Sequence, residues 1–332
     1  MTLKLLEDIC KKSELGYLEE TPTSLTGGLM HKMYLLPTST GRYVVKLLNP
    51  YIMQRETAKH NFEVADTLEL ILEENNFPII PAIIIHEKKM QLLDGQYFYI
   101  YKWFDGHVLK KQEITEMHCS SLGKVLAKIH NIDKKNSSTI EPQNCIDWDH
   151  YINLLSQSNN ELHSLLEENK SLLYETESKS RIALTKLPLV SAICHNDLDC
   201  KNVLWKDSNY QIIDLETLSY ANPFLELYQT ALSWSGYEEK NINYHLLSSF
   251  ITSYVEANGE LPQNWETISN IKNGELGWLE YNIKRALGID CSEEEITLGI
   301  SEVKKTLDQI IYYQEIKTPM LDCLENIKIL FT

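Results

Sequence analysis

No stretch of the 332 residues approaches the roughly 20 consecutive apolar residues that cross a bilayer. The longest apolar patch, FPIIPAIII (77–85), is short and broken by prolines. The opening MTLKLLEDICKKSELG lacks the apolar core of a secretory signal, so a cytoplasmic protein is expected. Positive charge is in deficit, with 31 Lys and Arg against 47 Asp and Glu and a net charge of −16. Such a surface disfavours nucleic acid and anionic membranes as partners. It keeps the chain soluble, and it attracts small cations. The seven cysteines are scattered and no two have C-x-x-C spacing, which argues against a zinc site and a disulfide framework. Repeats and low-complexity linkers are absent, and so is a G-x-G-x-x-G loop. The oligomeric state is not legible.

What is present is a folded chain, 43% hydrophobic and 23% charged, long enough for two lobes. Up to about residue 101 the pattern is β-rich. Leu29–Leu36 and Tyr43–Leu48 are apolar runs preceded by Gly-rich or Ser/Thr-rich turns, a hairpin signal. Phe62, Ala65, Leu68 and Leu72 recur at helical spacing. FPIIPAIIIHE and QYFYIYKWF read as two further strands, with Asp94-Gly95 as the turn between the last two. The expected order is ββ(β)αββ. Beyond about 105 the chain is mostly helical, from ITEMHCSSLGKVLAKIHNI through WDHYINLLSQSNNELHSLLEEN to the long C-terminal segments. KKNSSTIEPQN (134–144) is the most loop-like interior stretch.

One segment breaks the helical pattern. ICHNDLDCKNVLWKDSNYQIIDLE (193–216) sets His195, Asp197, Asp199, Asn202, Asp214 and Glu216 beside two short apolar strands, Val203–Trp205 and Tyr210–Asp214. Asp and Asn are ordinary turn formers, which accounts for Asp207 and Asn209. Carboxylates flanking core strands are different, because burial without a partner or metal is costly. The second pattern is that of a rigid frame around something charged.

With these residues quoted, the chain resembles the aminoglycoside phosphotransferase and choline-kinase-like family of small-molecule kinases. The resemblance rests on H-x-D-x-x-x-x-N (His195, Asp197, Asn202) followed by IIDLE with Asp214, and it extends over nearly the whole chain. It implies an α+β, bilobal protein-kinase-like fold. Residues 1–102 would be a small β-rich nucleotide-binding lobe with one main helix, and 103–332 a larger helical catalytic and substrate-binding lobe. The implied cofactors are ATP or GTP and Mg²⁺. Asp197 would be the catalytic carboxylate that accepts the acceptor's proton. Asn202, Asp214 and Glu216 would form the metal shell, with His195 and Glu226 supporting the loop. Gly27 and Gly28 would cover the phosphates and Lys46 would bind them, held by a helix carboxylate, Glu56 or Glu63, with Glu63 favoured. Backbone at Lys102 and Trp103 would read the adenine edge.

Two departures from protein kinases point to a small acceptor. Asp199 stands where those enzymes carry a lysine, and no activation segment follows Asp214-Leu215-Glu216 before Asn222-Pro223-Phe224. Asp199, Trp234, Trp278, Glu280 and Tyr281 form a candidate acceptor set, aromatic and acidic, suited to a cationic alcohol. Trp234, Trp278 and Tyr281 also fit helix-core positions. The alternative from another class is a non-catalytic or structural family member, such as a spore-coat-like protein. The intact Lys46, Asp197, Asn202 and Asp214 favour the enzyme.

Overall fold

The computed structural model describes residues 2–25, 31–136, 145–289 and 291–331. The fold is α+β, with a β-rich N-terminal part and a mostly helical C-terminal part. Contacts divide the chain into two compact units, Met1–Ile114 with Ile193–Ala221, and Thr115–Ala192 with Asn222–Thr332. The division at 102/103 read from the sequence leaves 193–221 with the helices; contacts place that segment with the N-terminal unit. Among the described residues no helix is long and apolar enough to cross a membrane.

The first unit opens with a helix absent from the ββ(β)αββ expectation, α1 (Thr2–Lys12), which buries Leu6, Ile9 and Cys10 along one face. Then β1 (Thr23–Leu25), β2 (Lys32–Thr38) and β3 (Gly41–Leu47) lead through α2 (Pro50–Met53) and α3 (Ala58–Glu74) to β4 (Gln91–Leu93) and β5 (Gln96–Lys102). The five strands form one antiparallel sheet in the order β1-β2-β3-β5-β4. Asp94 and Gly95 join β4 to β5 with φ of 48° and 80°, the left-handed pair that a two-residue hairpin turn needs. FPIIPAIIIHE, expected as a strand, is not one. It makes single bridges, Ile79 to Ile212, Ala82 to Tyr101 and Ile85 to Lys88, because its prolines remove ladder donors.

Strand alternation gives the sheet two buried faces. Val45, Leu47, Phe98 and Ile100 pack with the apolar side of α1. Lys46 is paired with Tyr99 on the opposite face, where Tyr99 packs against Phe62 of α3. The rest of this unit is β6 (His107–Val108), β9 (Val203–Lys206), β10 (Asn209–Ile212) and β11 (Ser219–Ala221). The sheet order here is β10-β9-β6, and the facing pair Trp205 and Tyr210 brings its rings to 4.8 Å.

The second unit holds α4 (Glu116–His130), β7 (Lys135–Asn136), α5 (Trp148–Ser158), α6 (Asn160–Leu184) and the start of β8 (Val190–Cys194). After Asn222 it continues with α7 (Pro223–Trp234), α8 (Tyr244–Glu256), α9 (Trp265–Asn270), α10 (Asn273–Ala286) and α11 (Glu293–Leu330). One helix is expected across WDHYINLLSQSNNELHSLLEEN, and the structure has two. Asn159 is extended (φ −151°) and its side chain caps Leu162 N–H, so the backbone stops and restarts there. α5, α6, α10 and α11 share a core around Trp148, Leu162, Leu279 and Leu307.

Candidate active site

The catalytic-type loop is held by its own short-range bonds. His195 is fully buried. Its Nε2–H donates to Ile213 O at 3.1 Å and its Nδ1 accepts from Asp197 N–H at 3.3 Å, which selects one neutral tautomer. Asn196 takes the left-handed conformation (φ 64°) that Asn tolerates, and its amide donates to Cys194 O and Thr217 O. The Asn202 amide donates to Asp197 O at 2.8 Å and to Asp197 Oδ2 at 2.9 Å. With its NH₂ so used, the Asn202 carbonyl oxygen is left as an acceptor. Lys201 Nζ also lies 3.1 Å from Asp197 Oδ2.

The hairpin base brings Asn202 and Asp214 together. Ile213 N–H donates to Asn202 O at 2.9 Å, which extends the β9–β10 ladder by one pair. Asp214 follows at once and turns left-handed (φ 63°, ψ 51°), which breaks the strand and leads into the 3-10 turn Leu215–Thr217. The strand expected to run to Asp214 therefore ends at Ile212, and the turn aims Asp214 and Glu216 off the ladder.

Lys46 meets both. Its ammonium, on a residue only 4% exposed, bonds Asp214 Oδ1 and lies 2.5 Å from Glu216 Oε2. Burial pulls the Lys46 pKa down, but Glu216 and Asp214 together hold it above its ordinary value. Glu216 is likewise pulled up by burial, and the His31 hydrogen bond and the Lys46 charge hold it below the usual carboxylate range. His31, which the sequence did not single out, sits 3.0 Å from Glu216 Oε1.

Several expectations are corrected here. The carboxylate at Lys46 comes from the turn after Asp214 and not from α3. Glu63 is on the exposed side of α3 and Glu56 precedes it, while Asp66 accepts from Tyr99 and Glu69 pairs with Lys89. Glu216, expected in a metal shell, has Oε1 facing His31 and Oε2 facing Lys46. Asp199, expected to face the acceptor, is paired with Lys111 at 3.2 Å and caps Lys201 N–H. Trp103 N–H is spent on Arg42 O at 3.0 Å, which confines the expectation for Trp103 to its carbonyl. Ladder alternation then makes Tyr43 and Lys102 the pair without mutual bonds, so Lys102 turns its backbone groups away from β3. Gly27 and Gly28 lie outside the described residues.

In the second unit Glu226 is buried on α7 and accepts from His130 Nε2 at 2.8 Å, while His130 Nδ1 meets Tyr254 OH at 2.8 Å. This ties α7, α4 and α8 together. Trp234 is fully buried, a core residue and not a pocket wall. Glu280 accepts from Tyr151 OH at 2.6 Å and pairs with Lys284 at 2.8 Å, so its charge is already countered. Tyr281 stacks on Trp278 with ring centroids 5.6 Å apart. Of the expected acceptor set, Trp278 alone lines the cavity of about 350 Å³ between α7, α10 and α11, together with Tyr237, Glu275 and Glu302. Glu275 precedes Trp278 by three residues on α10, a helical spacing that was legible in GELGW.

Residues 21–267 match the sequence profile of the phosphotransferase enzyme family. The chain belongs to that family. As a phosphotransferase it also has solved structural neighbours at low identity, which share the fold. A spectinomycin phosphotransferase, APH(9)-Ia, solved with ADP and spectinomycin, is 16% identical with a TM-score of 0.72, over 93% of this chain and 97% of that one. An aminoglycoside phosphotransferase from Alicyclobacillus acidocaldarius is 11% identical with a TM-score of 0.58, over 92% of each chain. A choline kinase from Cryptosporidium parvum is 16% identical with a TM-score of 0.54, over 98% and 97%. No curated protein sequence matches this chain.

Proposed function

We propose that this phosphotransferase moves the γ-phosphate of ATP, with Mg²⁺, to a hydroxyl of a small cationic molecule. The observation that carries the reading is the hairpin base, where Asn202 donates to Asp197 while Asp214 and Lys46 are joined one ladder step away. Phosphoryl transfer asks a protein chiefly for positioning and charge neutralisation. Asp197 accepts a hydrogen bond from the acceptor hydroxyl and takes its proton late. Lys46 neutralises phosphate oxygens. The Asn202 carbonyl and an Asp214 carboxylate oxygen are hard oxygen donors, the kind Mg²⁺ takes beside phosphates and water, so the residues present fit that ion. The metal, when bound, neutralises phosphate charge. Lys102 offers its outward backbone groups to the adenine edge.

For the acceptor, support comes from the second unit. The cavity of about 350 Å³ lies at the small end of small-molecule sites. On its wall, Tyr237 OH and Glu275 Oε2 are buried without hydrogen-bond partners among the described residues, while Glu275 Oε1 pairs with Lys272 Nζ at 2.9 Å. A buried polar group left unpaired is costly, and a ligand with an amine and a hydroxyl would supply both partners. Spectinomycin, bound in the one neighbour, is an amine-bearing alcohol of that kind, whereas choline, in the name of another, brings a hydroxyl and a fixed positive charge but no N–H.

An acceptor screen that reads ADP release tests the proposal, with amino alcohols, choline-like alcohols, aminoglycosides and neutral sugars as acceptors. Asp197→Asn should lower kcat by about 10²–10⁴-fold for the preferred acceptor and leave ATP affinity nearly intact. ATP binding with no ADP release across the whole panel would turn the reading toward a binding protein.

A further inference from the structure

The buried Lys46 has an ion partner whose own position needs explaining. Glu216 lies on a three-residue 3-10 turn, a short element that packs on α3 but has little structure of its own to fix a side chain. His31 provides the missing restraint. Its side chain is 5% exposed. Its Nδ1 accepts from Asn49 N–H at 2.9 Å, so Nε2 carries the proton and donates to Glu216 Oε1 at 3.0 Å. Asn49 lies two residues beyond the end of β3, the strand that carries Lys46. The imidazole ring lies 6.4 Å from the ring of Phe62 on α3, which closes the space around it.

We propose that His31 is a positioning residue. It fixes Glu216 against the end of β3, and Glu216 in turn fixes Lys46, so the turn carboxylate serves where a helix carboxylate is lacking among the described residues. This rests on the reading of Lys46 as the phosphate anchor. Lys46 has two carboxylate contacts. With phosphate at Lys46 and Asp214 given over to a metal, Glu216 would be the contact that keeps Lys46 in place. In this proposal His31 acts through Glu216, the carboxylate that its Nε2–H meets.

The test is calorimetry on the full chain with Mg-ATP and with adenosine, which carries the base and no phosphate. His31→Ala should weaken Mg-ATP about tenfold or more, the usual cost of losing a hydrogen bond to a charged group, and leave adenosine unchanged. His31→Gln, whose amide can still donate, should restore most of the loss. Glu216→Gln should weaken Mg-ATP at least as much, and adding His31→Ala to it should bring little further loss. In the nucleotide-free protein, imidazole ¹⁵N shifts should report an Nε2–H tautomer whose Nε2 signal moves in Glu216→Gln. The Lys46→Ala variant separates the two ideas. If it lowers Mg-ATP affinity selectively while His31→Ala does not, the positioning role is wrong and the anchor stands. If Lys46→Ala weakens adenosine equally, the anchor reading falls and takes the proposal with it. Additive losses in the double variant would also overturn it.

Discussion

Asp214 and Glu216 are two residues apart and do different things. Asp214 is a third exposed in a left-handed turn, open to a ligand, whereas Glu216 is closed in between Lys46 and His31. Their substitutions should therefore diverge. On the proposed reading, Asp214→Ala should abolish Mg²⁺-dependent ATP binding along with turnover, because the ion would lose a carboxylate ligand and the phosphate charge would go unneutralised. Wild-type Mg-ATP affinity in calorimetry would remove Asp214 from that role. Glu216→Gln should instead show in the acid limb of stability. The Glu216 pKa is depressed in the folded chain, because the His31 bond and the Lys46 charge outweigh burial. Its contribution is thus fully present above the unfolded value of about 4.3 and is lost as pH falls through the folded value. Urea denaturation from pH 7 downward should show the gap between wild type and Glu216→Gln narrowing below about pH 4. A gap independent of pH would mean the carboxylate is not held ionised.

At the scale of elements, close helix packing is decided by single small residues. Gly123 on α4 faces α8 so closely that an added Cβ would lie 2.3 Å from Phe250 O and 3.2 Å from Tyr254 N. Backbone atoms cannot swing aside as a flexible side chain can. Gly123→Ala should therefore destabilise the chain by about 1–2 kcal/mol, an overpacking cost reduced by the better helix propensity of Ala. A lower urea midpoint at unchanged slope is the expected result, and an unchanged or higher midpoint would show that α8 can retreat. α4 also joins α7 and α8 through His130, Glu226 and Tyr254, so the two helix contacts should fail together.

For the whole molecule, the net charge of −16 bears on association more than on fold. Countered carboxylates such as Asp199 and Glu280 each add little to the attraction of a cation, because Lys111 and Lys284 sit against them. The long-range field of the surface is then the main steering term. kcat/KM for a cationic acceptor should exceed that for a matched neutral one at low salt. It should fall as salt is raised from 0.1 to 1 M, while the Debye length shrinks from about 10 to about 3 Å. Equal salt response of both acceptors would remove charge steering. The cavity face makes a separate claim: Trp278→Ala should raise the acceptor KM and leave the ATP KM unchanged.

Local chemistry was legible in the chain itself. His195, Asp197, Asn202 and Asp214 lie within twenty residues, and a tight hairpin with a register set by its turn brings the ends of such a segment together without help from elsewhere. The amphipathic period of α3 and the alternation in β3 and β5 likewise set which faces are buried. α1 was legible too, in the spacing of Leu6, Ile9 and Cys10, though no motif drew attention to it. Partnership across long separations was not. Lys46 and Asp214 are 168 residues apart, and a strand lysine next to a helix full of acids gives no sign that its ion pair comes from a turn that packs on that helix. Whether Trp234 is core and Trp278 a cavity wall, and whether Glu280 is free or countered by Lys284, depends on what packs against each helix face. Periodicity states that a face is apolar; only the tertiary arrangement supplies the groups opposite it, and for charged side chains those groups decide both position and protonation.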